Sequence, residues 1–210
     1  MTRFEVLVEG ASDVAAIKEV LQRRFGLTQG EHFRIHPHQG KGKLPSNPLA
    51  RPDQNKRQLL HLLPSKLRGY AKSLPPGSVV LVVVDADDTP GGDLLAELDA
   101  MLAALATRPA RVMFRLATEE AESWFIADTA AVKAAFPKAK IAALKNIPPD
   151  AIVGAWEQLA KAIGSTGSSG TDKRRWAEKI CPHLDLDNPP SPSLRKLISG
   201  VAREITADPS

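Results

Sequence analysis

Carboxylates close two apolar runs in this chain, at spacings where oxygen-ligand chemistry is possible. Phe4-Glu5-Val6-Leu7-Val8 leads into Glu9-Gly10, and the run from Val79 to Val84 leads into Asp85-Ala86-Asp87-Asp88. In an open parallel α/β sheet, ligands bind outside the carboxyl ends of the strands. If the two runs are neighbouring strands, Glu9, Asp85 and Asp87 share one small volume. Carboxylates held that close raise one another's pKa. A hard divalent cation removes the conflict, and Mg²⁺ takes carboxylate oxygens while keeping several waters. The expected centre is therefore a Mg²⁺ (or Mn²⁺) site that handles phosphate.

The elements that must position these groups alternate along the chain. A first strand covers residues 3–8. Ser12, a good N-cap, opens a helix with Val14, Ile17, Val20 and Leu21 at helical spacing, and Gly26 ends it. A short strand at 33–35 precedes a long loop over 37–55, punctuated by Pro37, Gly40, Gly42, Pro45, Pro48 and Pro52. Loops of that length are functional or disordered. A helix over 56–73 is expected to kink or split at Pro64. Residues 79–84 show no polar alternation, the mark of a strand buried on both faces. Leu94, Leu98, Met101 and Leu105 trace another helix, 111–116 a fourth strand and 119–128 a short helix. This order indicates a parallel α/β sheet. After Pro137 the pattern turns helical, near 150–163, 172–181 and 193–205, with a Gly/Ser linker at 164–170. The expected division is an α/β domain over 1–130 and a helical extension over 131–210.

Composition narrows the classes. The chain has 210 residues, 43% of them hydrophobic, enough for a sizeable core. No apolar run approaches the roughly 20 residues of a membrane span, and the N-terminus lacks a signal-peptide pattern. Cys181 is the only cysteine, which excludes an intrachain disulfide framework and a Cys-rich zinc site. A reducing cytoplasm is expected. The net charge of +4 is compatible with a polyanionic partner without requiring one.

Val8-Glu9-Gly10, the following Ser12-Asp13 and the later Asp85-Ala86-Asp87 resemble the Toprim (topoisomerase–primase) superfamily. Glu9-Gly10-Ala11-Ser12-Asp13 is similar to the version found in overcoming-lysogenization-defect nucleases and their small bacterial relatives. Glu120-Ala121-Glu122-Ser123-Trp124 is similar to their acidic helix. The resemblance covers about residues 3–130. Arg174-Arg175-Trp176 and Cys181-Pro182-His183-Leu184 resemble the tail of uncharacterised members. It implies a Rossmannoid four-stranded parallel sheet with flanking helices and a helical C-terminal extension. It also implies metal-dependent phosphodiester hydrolysis, as a nuclease on DNA or RNA. Asp85 and Asp87, with Asp88, would hold the metal, and Glu9 would be a ligand or a general acid/base. Asp13, Glu120 and Glu122 would support a second metal position. Relatives of this kind pair with an ATPase in bacterial phage defence, so nucleic acid and an ATPase are the implied partners.

Plainer roles stand beside these. Asp13 and Asp88 also suit helix caps, and Glu120 and Glu122 suit a helix N-terminus. His36, His38, Lys41 and Lys43 suit a phosphate-facing loop, where Gly40 and Gly42 allow close backbone approach. The basic cluster Lys173-Arg174-Arg175 beside Trp176 suits either a nucleic-acid contact, through Arg174 and Arg175, or a solvated helix face. Two other functions remain open. Asp85-Ala86-Asp87-Asp88-Thr89 matches the nucleophile motif of haloacid-dehalogenase phosphatases, with Asp85 attacking, although no later strand carries the acidic pair that mechanism needs. A non-catalytic Toprim module that binds nucleic acid or a partner is the other. Tyr70, the lone tyrosine, suits core packing better than a topoisomerase nucleophile. His36-Pro37-His38 lacks a third zinc ligand, and Gly164–Gly170 lacks the Gly-Lys-Ser/Thr ending of a phosphate loop.

Overall fold

Val79–Val84 offers no polar face, and in the computed structural model each of these side chains is buried. The structure describes residues 2–86, 91–117, 122–150, 154–167 and 169–207. Within them, β1 (Phe4–Val8), β2 (Phe33–Pro37), β3 (Val79–Asp85) and β4 (Val112–Ala117) form one parallel sheet. Its order is β2-β1-β3-β4, the expected α/β architecture.

Helices cover both faces of this sheet. α1 (Ala11–Glu19) packs Ala16 and Ile17 on the face that carries Phe4, Val6 and Val8. α2 (Leu59–Ser73) and α3 (Gly91–Ala103) pack Leu63, Leu67, Leu94 and Leu98 on the face that carries Leu7, Val80 and Val82. Right-handed crossovers explain the change of face. The step from β1 to β2 runs one way, and the steps from β2 to β3 and from β3 to β4 run the other. The reversal falls between β1 and β3, so Val8-Glu9 emerges beside Asp85-Ala86.

Several local expectations are corrected. Ser12 does not cap α1: Gly10 occupies that position and Asp13 reaches back to its N–H. A π-helical turn at Val20–Arg24 prolongs the helix and buries Val20 and Leu21 before Gly26 reverses the chain at φ 66°. Pro64 neither splits nor interrupts α2, because Leu59, Leu60, Leu63 and Leu67 anchor both sides of it in the core. The helix begins at Leu59 rather than at 56. Lys56 donates instead to the Asp53 carbonyl, and the Arg57 carbonyl accepts from Gln39. The Gly/Ser linker is capped at its ends: Gly164 closes one helix at φ 71°, and Ser169 exchanges hydrogen bonds with Asp172 to open the next.

Beyond β4 the chain is helical: α4 (Glu122–Ala127), α5 (Thr129–Ala135), α6 (Ala155–Ile163), α7 (Gly170–Ile180) and α8 (Pro192–Thr206). Their apolar faces join the α1 side of the sheet in one continuous core through Trp124, Leu159, Trp176, Ile180, Leu197 and Val201. Trp124 is 1% exposed, and its Nε1 donates to Ser193 Oγ at 2.8 Å. Asp150, held at φ 60°, accepts from Ser191 Oγ at 2.7 Å and from the Ser193 N–H at 2.6 Å, and so ties the preceding loop to the first turn of α8. Arg111 pairs with Glu204 at 2.6 Å and donates to the Gly77 carbonyl at 3.2 Å, pinning the far end of α8 to the sheet. Among the described residues, no helix is long and apolar enough to cross a membrane.

This continuity predicts joint unfolding. Trp124→Ala, which empties a fully buried site, should cost about 3–5 kcal/mol. In urea, the fluorescence of Trp156 and Trp176 and the far-UV circular dichroism should report one coincident transition.

Candidate functional site

At the switch point, one hydrogen bond joins the two strand ends. Glu9 Oε1 accepts from the Asp85 N–H at 2.8 Å. The Glu9 carboxylate, rooted on β1, is thereby held at the end of β3, beside Asp85. Both residues are half-buried. Asp87 and Asp88, expected to complete the set, lie outside the described residues, as does Glu120. Among the described residues, no group of three or more His, Cys, Asp or Glu is gathered closely enough to hold a metal. Two carboxylates nevertheless fit Mg²⁺, which is often bound by one or two carboxylates and completed by water and substrate phosphate.

Asp13 sits just behind this pair. Its Oδ2 accepts from the Gly10 N–H at 2.9 Å and its Oδ1 from Ser12 Oγ at 3.3 Å. These bonds close the turn that aims Glu9. Burial pushes the Asp13 carboxyl above its ordinary range, against the opposing pull of the Gly10 and Ser12 hydrogen bonds and the positive field of Lys173. Residue type alone groups Lys173 with Arg174 and Arg175, and the spacing sets it apart. Trp176, Ala177 and Ile180 form the buried face of α7, and Lys173 stands three, four and seven positions before them. Its Nζ lies 4.9 Å from the centre of the Trp156 ring, a cation–π distance.

The loop between β2 and α2 folds over the same end of the sheet. His38 donates its backbone N–H to the Val8 carbonyl at 3.0 Å, and its Nδ1 lies 2.8 Å from the same oxygen. A carbonyl only accepts, so Nδ1 carries the proton. Burial holds His38 below the usual imidazole range, and the charges of Lys66 and His36 add to that. Gly40 donates to the Glu9 carbonyl at 2.9 Å, and Lys41 Nζ donates to the Ala86 carbonyl at 3.2 Å. Lys41 therefore stands between the two strand ends. Lys43 is exposed on the same loop.

Other expected groups lie apart. His36 does not face the loop. It belongs to β2, and its Nε2 meets Glu5 Oε2 at 2.6 Å on the α2 side of the sheet. Tyr70 lies near this pair, and burial lifts its phenol to about 12, with the Glu5 charge adding. Arg174 forms an exposed ion pair with Glu178 at 2.8 Å. Arg174 also lines a cavity of about 410 Å³ with Lys18, Ile35 and Pro37 between α1, α7 and the β2 edge. Arg175 bears electrostatically on Asp172 at the start of α7. Glu122 is 3% exposed in the first turn of α4, and its charge, behind burial and Glu19, helps raise the buried Cys181 thiol.

The environment of Asp13 gives a measurable consequence. Its folded pKa lies above its unfolded value, so ionising it opposes folding. That penalty is full above the folded pKa and fades as pH falls through it towards the unfolded value. Asp13→Asn retains both hydrogen bonds, since the amide oxygen accepts from Gly10 and the amide nitrogen donates to Ser12 Oγ. It should raise Tm at neutral pH, and the advantage over wild type should shrink between pH 7 and pH 4 in calorimetry.

A family model described as a domain of unknown function, DUF4276, matches residues 8–202. Three solved structures of the C-terminal region of the OLD protein of Xanthomonas campestris pv. campestris, phased with platinum, iodine and mercury, are similar to the chain. They cover 97–98% of this chain and 96–98% of theirs, at 14% identity and TM-scores of 0.43–0.44. No curated protein matches the chain.

Proposed function

The chain belongs to the DUF4276 family, whose description assigns no activity, and from its own site we propose that it is a metal-dependent phosphodiester hydrolase of Toprim type, a nuclease. The contact that carries this reading is the Glu9 hydrogen bond to the Asp85 N–H. It brings the Glu9 carboxylate to the end of β3, at the place where the sheet reverses its winding. Carboxylates at a surface meant only to hold a polyanion would repel it. Cations beside them, Lys41 at the Ala86 carbonyl and Lys173 near Asp13, supply what a phosphate needs.

Glu9 and Asp85, with Asp87 following on the same segment, would hold Mg²⁺. Bound there, Mg²⁺ would polarise a phosphoryl oxygen and lower the pKa of an attached water. Lys41 would take a non-bridging phosphate oxygen, as its ammonium is fixed between the two strand ends. Asp13 positions Glu9 through the Gly10 turn. Lys173 keeps positive potential on the α7 side, where it partly offsets the buried Asp13 charge.

Incubating purified protein with duplex DNA, single-stranded DNA and RNA in Mg²⁺ or Mn²⁺ tests this. Cleavage should be metal-dependent and should fall by at least about 10²-fold in Glu9→Gln and in Asp85→Asn. Glu9→Gln preserves the bond to Asp85, so its fold should survive. Cleavage equal to wild type in both variants would remove the assignment. Hydrolysis of small phosphomonoesters without phosphodiester cleavage would move it to the dehalogenase-type phosphatases.

A further inference from the structure

Between β2 and α2, the described residues contain no helix or strand, yet the segment is tightly held. Its two legs run together: Gln39 donates to the Arg57 carbonyl, Leu59 to the Gly40 carbonyl and Leu60 to the Lys41 carbonyl, at 3.1, 2.9 and 2.8 Å. Gly42 is left-handed at φ 68°, and a Cβ there would stand 2.5 Å from Gln58 Cβ, so the legs pack with no room for a side chain. Farther out, both terminal nitrogens of Arg68 donate to the carbonyls of Pro48 and Ala50. Asn47 Oδ1 accepts from the Leu49 N–H at 2.9 Å. Leu49 is thus fixed at the tip, 60% exposed, the one large apolar side chain in that state among the described residues.

Charge singles out the same segment. Residues 38–68 hold seven Lys or Arg and one Asp, a net of +6. The whole chain carries +4, so the remainder is −2. The net positive charge of the chain therefore comes from this segment, around one loop. Arg51, Lys56 and Arg57 are exposed there, and Lys56, Arg57, Lys66 and His38 line a cavity of about 450 Å³ between the loop and α2. The loop is rooted at the carboxylate pair through the Glu9 carbonyl and the Lys41–Ala86 contact.

We propose that residues 42–57 form an arm that grips duplex DNA beside the carboxylate site, with Lys and Arg side chains on the phosphates and Leu49 wedged into a base step from the minor groove. An aliphatic wedge flanked by Arg, Lys, Asn and Gln is the chemistry by which proteins unstack and bend a duplex from the minor groove. Single strands are held instead on aromatic platforms, and residues 38–58 contain no Phe, Tyr or Trp. The arm rests on the phosphodiesterase reading for where the duplex leads, but its grip on DNA is independent of metal and cleavage.

The test uses the full chain in EDTA, with anisotropy over a range of salt concentrations and end-to-end energy transfer on a labelled duplex. Wild type should bind and bend the duplex more strongly than it binds single strands or double-stranded RNA. Leu49→Ala should weaken binding about tenfold and abolish the bend with an unchanged salt slope, while Leu49→Met should restore both. Lys56→Gln and Arg57→Gln should each lower the salt slope by about 1 and leave the bend in place. Leu49→Ala binding and bending like wild type would overturn the proposal and leave the leucine to a protein partner. No duplex binding in EDTA, or a preference for single strands, would overturn it as well. If DNA is bent through Leu49 but never cut in any metal, the arm stands and the nuclease reading falls. If DNA is cut but Leu49→Ala changes nothing, the reverse holds.

Discussion

The organising constraint is the reversal of winding between β1 and β3. A right-handed crossover places each connecting helix on one face according to the direction of the step. When the direction changes, the two connections leave opposite faces and a crevice opens at the strand ends between them. Glu9 spans that crevice to the Asp85 N–H. The same bond satisfies a backbone donor at the end of β3 and aims a carboxylate. The Asp13 turn behind it, the Lys41 contact across it and the loop over it all build on that junction.

Burial of the opposite flank depends on the C-terminal helices. Without them, the face bearing Phe4, Val6, Val8, Leu81 and Val83 would lie beneath α1 alone. Polar ties fix where those helices sit. Trp124 finds Ser193, Asp150 secures the first turn of α8, and Arg111 holds its end through Glu204. Gly200 matters to the same seam, because a Cβ there would meet the Arg115 guanidinium at 2.3 Å. The position of α7, and so of Lys173 near Asp13, is inherited from this packing.

Much of this was legible in the residues. The unbroken apolar run of β3, the placement of carboxylates after strands and the alternation of elements depend on period and residue class, which survive tertiary context. Ser12 has the residue type of an N-cap, but a better-placed competitor, Asp13, sits one residue later and reaches the Gly10 N–H. Pro64 has the local propensity of a break, which tertiary packing of four buried leucines around it overrides. His36 and His38 looked equivalent by type. The pleat sends His36 to the α2 face with Glu5, while His38 leaves the strand and turns to the Val8 carbonyl. Lys173 is one of three consecutive cations, and only the phase of α7 distinguishes it from Arg174 and Arg175.

Paired legs make the β2–α2 loop a self-closed module. Its ends are joined by backbone hydrogen bonds at residues 39–41 and 57–60, so the sheet does not depend on what lies between them. For a loop already closed, added length costs little, about 0.6 kcal/mol for each doubling. Insertions, deletions or wholesale exchange of the tip would leave Glu9 and Asp85 undisturbed. Evolution could therefore vary the grip on substrate and the chemistry of the site on separate schedules, and an engineer could transplant one without rebuilding the other.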